Sequence, residues 1–376
     1  MLAGEASGDA HGAEVARALN RRLPGLRLLG LGGPRMASEG VELVAGLEDL
    51  AVMGFVEVLA HLPFFWRLER RLARILDSGA VDLVLPVDYP GFNLRMARRA
   101  HAGGIPVLYY IAPQVWAWKP RRAARLARHA DHVAVILPFE EEIFLREGGR
   151  ATFVGHPLLE RDEGVPGRED FCRAHGLDAA RPVLALLPGS RRQELDRHLE
   201  LFVAAASRVR QRSPDVQPVL AAAPSVPIAR LEATGLTVTT GTRALLRHAT
   251  AALVKSGTGT LETALEETPF VTVYRTHPLT FALARRLVRV DHVALANLVA
   301  GERIVPELLQ GDATPEGLAA ALAPLLDEGG DERRAMVLRL RTVRERLGTP
   351  GAAGRVADLA VELLGRGSAV PDPADR

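Results

Sequence analysis

The 376-residue chain has a single cysteine, Cys172, which excludes an internal disulfide and any zinc site built from several thiolates. Its histidines include no H-E-x-x-H pair, and the close-set His129 and His132 read as a solvated helix end rather than metal ligands. There is no G-x-S-x-G elbow, no P-loop spacing and no complete G-x-G-x-x-G fingerprint, which disfavours a serine hydrolase, a P-loop nucleotidase and a dinucleotide oxidoreductase. Apolar runs such as Val133–Leu137 are too short to cross a bilayer. No basic leader with an apolar core opens the chain, so the expected location is cytoplasmic. The formal net charge of +2 supplies no strong field for nucleic acid. Lysine is confined to Lys119 and Lys255, and asparagine to Asn20, Asn93 and Asn297. A GC-rich coding bias explains this scarcity, and a warm habitat would suit it too. The few survivors therefore draw attention.

What is present is the balance of an ordinary globular protein, 48% hydrophobic and 24% charged. At about 150 residues per domain the length suggests two domains. Short apolar strands alternate with helical patterns, which predicts parallel sheets covered on both faces. Strands are expected at Leu26–Gly30, Asp82–Val87, Pro106–Tyr110, His132–Ile136 and Thr152–Val154. The alternation restarts at Val183–Leu187, Pro218–Ala222, Leu236–Thr239, Ala251–Val254 and Phe270–Val273. Helices are expected near Ala13–Arg22, Trp66–Leu76 and Leu94–Ala102, and the chain closes on helices near Pro315–Leu326, Glu332–Leu347 and Ala352–Leu364. The turn-rich stretch Gly155–Gly167 is the linker candidate, and a hinge for closure around a ligand. The expected fold class is α/β, with two Rossmann-like doubly wound domains facing a cleft. Residues 1–160 would form the first domain and 161–350 the second. A helix at 351–365 would pack back on the first, and 366–376 would be a frayed tail.

Several segments carry candidate chemistry. The chain opens on what reads as a clipped first strand, short of a few leading residues. It passes at once into Gly4-Glu5-Ala6-Ser7-Gly8-Asp9, a small-residue turn that lets backbone N–H groups approach an anionic or sugar ligand. An ordinary strand-to-helix loop explains such a turn as well. Asp82–Asn93 is more telling: an apolar strand ends in Asp88, where a carboxylate can act as general base, and Asn93 is either the next helix's N-cap or a ligand contact. Pro113-Gln114-Val115-Trp116-Ala117-Trp118 is either a buried aromatic anchor or a cleft rim that packs on a sugar or acyl chain.

In the second half, Pro188-Gly189-Ser190-Arg191 follows a strand and opens a helix, a setting in which backbone donors and an arginine fork suit a pyrophosphate. Lys255-Ser256-Gly257-Thr258-Gly259-Thr260-Leu261-Glu262 repeats the design, with Glu262 placed to cap the helix or accept ribose hydroxyls. Two such turns in one α/β domain point to a nucleotide. Phe64-Phe65-Trp66 followed by Arg67, Arg70, Arg71 and Arg74 suits an interfacial helix; a core helix with a basic outer face is the plainer reading.

With these segments assembled, the sequence resembles the lipid-A-disaccharide synthase family, GT-B glycosyltransferases of lipopolysaccharide synthesis. The resemblance rests on ordered matches. In the first half they are AGEASGD (Ala3–Asp9), GPRM (Gly33–Met36), LAVMGFVEVL (Leu50–Leu59), PVDYPGFN (Pro86–Asn93), PQVWAW (Pro113–Trp118) and LPFE (Leu137–Glu140). GHPL (Gly155–Leu158), LLPGSR (Leu186–Arg191), SGTGTLE (Ser256–Glu262) and NLVAG (Asn297–Gly301) follow. It implies transfer of a sugar from UDP-2,3-diacylglucosamine to the 6-hydroxyl of 2,3-diacylglucosamine 1-phosphate, giving a β-1,6 disaccharide and UDP with inversion. It further implies no cofactor and no metal ion, the UDP-sugar being a substrate.

By the same resemblance Asp88 would be the base, and Glu5, Ser7, Asn93 and Gln114 would face the acceptor or the cleft. Gly189, Ser190, Arg191, Ser256, Gly257, Thr258, Glu262 and Asn297 would hold the nucleotide-sugar. The segment from Phe64 to Arg74 would rest on the inner-membrane surface, on its cytoplasmic side, with the protein a monomer or homodimer and nucleic acid no partner. Ala296 stands where proline is frequent in that family, and Gly259 where alanine is common. Another GT-B UDP-sugar enzyme remains open, whether a lipid or peptidoglycan-precursor glycosyltransferase or a UDP-sugar 2-epimerase. So does a non-catalytic nucleotide-sugar-binding module.

Overall fold

The computed structural model describes residues 1–50, 55–113, 120–160, 164–277, 281 and 292–367, without the side chains of 55–62, 120–121 and 366–367. Gln114, Trp116, Trp118 and most of the tail lie outside the described residues. The chain divides into two compact units, Met1–Glu160 with Gly348–Arg376, and Arg161–Leu347.

The first unit holds seven parallel strands: β1 (Leu2–Ala3), β2 (Leu29–Gly32), β3 (Glu42–Gly46), β4 (Pro86–Val87), β5 (Leu108–Tyr110), β6 (His132–Val135) and β7 (Ala151–Phe153), in the order β3-β2-β1-β4-β5-β6-β7. Successive strand residues feed opposite faces: Leu2, Tyr109, Val133 and Val135 enter one core, while Ala3, Leu108, Tyr110 and Ala134 enter the other. That two-residue period, apolar on both faces, is what a parallel sheet under two helical layers requires. On one face lie α1 (Ala6–Arg22) and the C-terminal helix Ala352–Gly367. Ala13 and Ala16 belong to the same core as Ala353, Ala357 and Ala360, and these small side chains let the layers approach closely. On the opposite face, α3 (Phe55–Leu76) sinks Leu68 and Leu72, and α4 (Pro90–Ala102) sinks Phe92, Met96, Ala97 and Ala100. The five-residue α2 (Pro34–Ser38) precedes α3, and α5 (Pro120–His129) leads into β6.

The second unit repeats the plan with β8 (Val183–Leu187), β9 (Gln217–Ala221), β10 (Thr237–Thr239), β11 (Ala251–Lys255), β12 (Phe270–Tyr274) and β13 (Glu307–Leu309), ordered β10-β9-β8-β11-β12-β13 and all parallel. Strands β8 and β11 are buried at nearly every position, which is why they stand out as uninterrupted apolar runs. Both units are the doubly wound α/β sheets that the alternation predicts.

Several boundaries differ from expectation. The edge strands β3 and β13 were not anticipated, because edge positions bury little: β3 is half exposed and β13 only half-buried, so neither has the length of apolar run that marks a central strand. Helix α1 begins at Ala6 rather than Ala13, since Ser7, Gly8 and Asp9 mask the apolar period. Helix α3 begins at Phe55 rather than Trp66 and carries Pro63 within it.

Candidate functional site

In each sheet the winding direction reverses once, between β1 and β4 in the first unit and between β8 and β11 in the second. Ligands of doubly wound sheets bind beyond the carboxyl ends of the strands at such reversals. The four chain segments leaving these strands are Gly4–Ser7, Asp88–Pro90, Gly189–Arg191 and Ser256–Thr258.

In the first unit, Ala3 pairs with Val87 and Val87 with Tyr110, so the turns after β1, β4 and β5 lie side by side. Asp88 and Tyr89 both adopt left-handed backbone conformations, φ 48° and 49°, and Ile111 beyond β5 does likewise at φ 61°. Each such non-glycine residue costs of order 1–3 kcal/mol and persists only where its surroundings enforce it. Here the enforcing bonds are specific. The Asp88 N–H donates to the Tyr110 carbonyl at 2.9 Å. The Asp88 carbonyl accepts from Asn93 Nδ2 at 2.7 Å and from the Tyr109 hydroxyl at 2.8 Å. Asn93 Nδ2 also reaches the Leu2 carbonyl at 2.9 Å and the Val87 carbonyl at 3.3 Å. Asn93 is wholly buried and one turn inside α4, whose N-cap is Tyr89, so it is neither the expected cap nor an exposed ligand contact. Burial, reinforced by the Asp88 charge, pushes the Tyr109 phenol well above its usual range, so the hydroxyl remains a donor.

The glycine-rich opening fits the same turn. A side chain on Gly4 would lie 2.3 Å from the Tyr89 ring, so this close approach requires glycine. Glu5 and Ser7 are exposed around the first turn of α1. Asp9 points the other way: buried, it accepts from the N–H groups of Gly33 at 2.7 Å, Met36 at 3.0 Å and Arg35 at 3.2 Å. It thus caps α2 and joins the AGEASGD and GPRM motifs physically.

In the second unit, Leu187 pairs with Val254, so the turns after β8 and β11 start side by side. The first opens α6 (Arg192–Arg212) and the second opens α7 (Thr258–Leu265). Their amides are not equivalent. Glu194 folds back so that Oε2 accepts from Ser190 N at 2.9 Å and Arg191 N at 3.3 Å, while Oε1 pairs with Lys255 Nζ at 2.7 Å. Gly189, at φ 130°, has no room for a side chain because Glu194 occupies that space. The Ser190 and Arg191 amides expected to meet a pyrophosphate are therefore already engaged. By contrast, the N-cap of α7, Gly257, offers no side-chain cap; Thr258 is exposed and Glu262 is half-buried in the first turns. That helix end is where an anion finds backbone donors, with the exposed Arg191 on the neighbouring turn.

Burial raises the Glu194 pKa, but Lys255 and the two amides outweigh it and hold the carboxyl below its usual range. His198 extends the network, its Nδ1 2.7 Å from the Glu194 carbonyl and its Nε2 3.2 Å from the Arg275 N–H. An amide can only donate, so Nε2 is the acceptor and Nδ1 carries the proton. Desolvation keeps this ring neutral, lowering its pKa. Arg275 and Arg197 help line a hollow of about 500 Å³ beyond β12, together with His277 and Gln310.

Asn297, in α8 (Leu295–Ala300), is wholly buried and fully used. Its Nδ2 donates to the Val305 carbonyl at 3.0 Å and Glu307 Oε1 at 2.8 Å, and its Oδ1 accepts from Ile304 N and Val305 N, both at 2.9 Å. Glu307 also accepts from Val293 N and Ala294 N, while Ser256 Oγ donates to the Val293 carbonyl. Asn297 thus spends its amide on the segment that follows α8, and Ser256 its hydroxyl on the loop before it. Glu194, His198, Glu307 and Tyr109 were not singled out in the sequence, and Asp9 was noted only as part of its motif. Glu194 left a signal, an acid at the third position of a helix.

On α3, Leu68 and Leu72 face the core and Phe64 and Phe65 pack partly against it. Trp66 is 64% exposed, with the Arg70 guanidinium 4.2 Å from its ring, and Arg67, Arg71 and Arg74 are also exposed. No described helix is long and apolar enough to cross a membrane. Among the described residues no group of three or more His, Cys, Asp or Glu side chains is placed to hold a metal ion.

Comparison with solved structures finds the same fold in other proteins. The calicheamicin glycosyltransferase CalG4 superposes with a TM-score of 0.59 at 19% identity, over 98% of this chain and 97% of that one. The S. aureus MnaA–UDP co-structure gives 0.64 at 12% identity, over 97% and 96%. At such identities the likeness establishes the fold alone. Sequence relatives go further. The lipid-A-disaccharide synthase of Geobacter sulfurreducens is 42% identical over 375 residues, 97% of each chain. That of Anaeromyxobacter sp. strain K is 45% identical over 373 residues, 97% of this chain and 96% of the other. The family model described as lipid-A-disaccharide synthetase matches residues 1–351. With the fold, the two switch points and these relatives in agreement, the chain belongs to the lipid-A-disaccharide synthase family of glycosyltransferases.

Proposed function

We propose that the chain joins UDP-2,3-diacylglucosamine to 2,3-diacylglucosamine 1-phosphate by a single inverting displacement. Asp88 takes the proton of the acceptor 6-hydroxyl as its oxygen attacks the anomeric carbon. The carbon–oxygen bond to UDP breaks, the electron pair leaves with the diphosphate, and a β-1,6 disaccharide 1-phosphate forms. The observation that carries this reading is Asp88, a carboxylate held in a strained turn at the sheet's reversal point. Glu5 and Ser7, on the adjoining turn, serve the acceptor side, together with Gln114 of the PQVWAW motif. The departing diphosphate rests on the first turn of α7, at Gly257 and Thr258, with Arg191 beside it and Glu262 for the ribose. The positive end of the helix and the guanidinium stabilise the charge that develops there. Gly189, Ser190, Ser256 and Asn297 shape this region through the contacts described above. The exposed Trp66–Arg74 face of α3 holds the protein at the cytoplasmic surface of the inner membrane, where both acylated substrates reside.

The test is turnover of both lipid substrates in detergent containing EDTA, following UDP and disaccharide by mass spectrometry. Disaccharide from the native chain and a loss of about 10³-fold or more in Asp88→Ala support the reading. Release of UDP without disaccharide would identify a different acceptor. An undiminished Asp88→Ala would remove this residue from the chemistry.

A further inference from the structure

The bonds around the Asp88 peptide point to residues that act on the reaction without touching substrate. We infer that Tyr109 and Asn93 are positioning residues, whose shared grip on the Asp88 carbonyl holds the left-handed turn that aims the Asp88 carboxylate. This inference rests on the reading of Asp88 as the base.

Three observations carry it. First, the grip comes from both sides. Tyr109 belongs to the neighbouring strand β5 and Asn93 to the helix that follows the turn, at 2.8 and 2.7 Å from one carbonyl oxygen. Two consecutive residues at positive φ, in a segment free of glycine until Gly91, persist only where such bonds enforce them. Second, Asn93 is a poor choice for stability alone. Its Nδ2 is shared among three carbonyls, while its Oδ1 is buried with no hydrogen-bond partner. An orphaned buried acceptor is a standing penalty, retained here for the donor on the same amide. Third, neither side chain is placed to meet a ligand: both residues are wholly buried, so neither acts by touching substrate, and the Tyr109 hydroxyl bears on the turn through its bond to the Asp88 carbonyl.

Tyr109→Phe removes only a hydroxyl and tests this directly. We expect kcat to fall about 10- to 100-fold, as for a small misalignment of a reacting group. KM for the UDP-sugar, UDP affinity by calorimetry and the thermal midpoint should stay near native values. In an Asp88→Asn background the same change should leave the residual rate unaltered, because the group it aims is already disabled. Asn93→Ala should repeat the kcat loss; if that variant fails to fold, Tyr109→Phe still decides. An unchanged kcat in Tyr109→Phe overturns the inference, and so does a loss of equal size in the Asp88→Asn background. If Asp88→Asn itself turns over at the native rate, the base assignment fails and the inference falls with it. An inactive Asp88→Asn beside a fully active Tyr109→Phe defeats the inference alone.

Discussion

Asparagine is scarce in this chain, and two of its three asparagines are buried, with their amides bonded to neighbouring backbone. The sequence marked both positions by their rarity but could not say which way the amide would turn, because that depends on which carbonyls the fold brings near. Asn297 has every hydrogen-bonding group engaged, including a bond to the half-buried Glu307 carboxylate. Asn297→Ala would strip partners from two buried amides and from Glu307, at a cost of about 2–4 kcal/mol. We therefore expect a clear drop in the denaturant midpoint of the second unit; an unchanged midpoint would mean that the loop does not depend on this amide. Gly259 offers the opposite case. A methyl group there meets only ordinary contacts, 3.5 Å from Val254 and 3.7 Å from Leu187. Gly259→Ala should thus be tolerated or stabilise by up to about 1 kcal/mol through helix propensity, with turnover retained.

At the level of elements, the two phosphate-style turns look alike in sequence and differ in structure because of one acid. Glu194 closes the amides at the start of α6 and leaves the start of α7 to an incoming anion. The Lys255–Glu194 pair is mostly buried, with side-chain exposures of 20% and 18%. Removing one partner leaves the other uncompensated, so Lys255→Met should destabilise the second unit by about 1–3 kcal/mol, measured by denaturant unfolding. A midpoint equal to that of the native chain would show that Glu194 is content with the amides alone. The same network sets a pH dependence. His198 has a lowered pKa in the folded state, so the unfolded chain binds a proton that the native chain refuses. Stability is then complete above about pH 6.5, the unfolded value, and is lost as pH falls below it. Glu194, also lowered, adds a further loss at still lower pH, below the ordinary carboxylate range. The second unit's melting temperature should therefore decline between pH 7 and 5, and decline less in His198→Gln. An equal decline in both would assign the effect elsewhere.

Across the whole molecule, the α/β alternation and the strand-end turns were legible because β8, β11 and their neighbours are buried on both faces and read as apolar runs. The edge strands β3 and β13 and the first turns of α1 were not, since exposure and small residues erase the period. The outer face of α3 was legible as a basic aromatic segment, and there a whole-molecule quantity decides the physics. With a net charge of only +2, the protein as a body has little attraction for an anionic bilayer. Any binding must come from a local patch, and Arg67, Arg70 and Arg74 around the exposed Trp66 supply one. Each arginine near an anionic surface contributes about 1 kcal/mol, so reversing all three should weaken partitioning onto phosphatidylglycerol vesicles by on the order of 100-fold or more. Because the attraction acts over a Debye length of about 10 Å at 0.1 M salt, raising the salt several-fold should weaken the native chain in the same direction. Trp66→Ser should weaken it further at any salt, since the indole's contribution is apolar burial rather than charge. Vesicle sedimentation measures all three effects. Binding that ignores Arg67, Arg70, Arg74 and Trp66 alike would show that this face of α3 is simply a solvated helix surface, and that the acylated substrates meet the enzyme without its help.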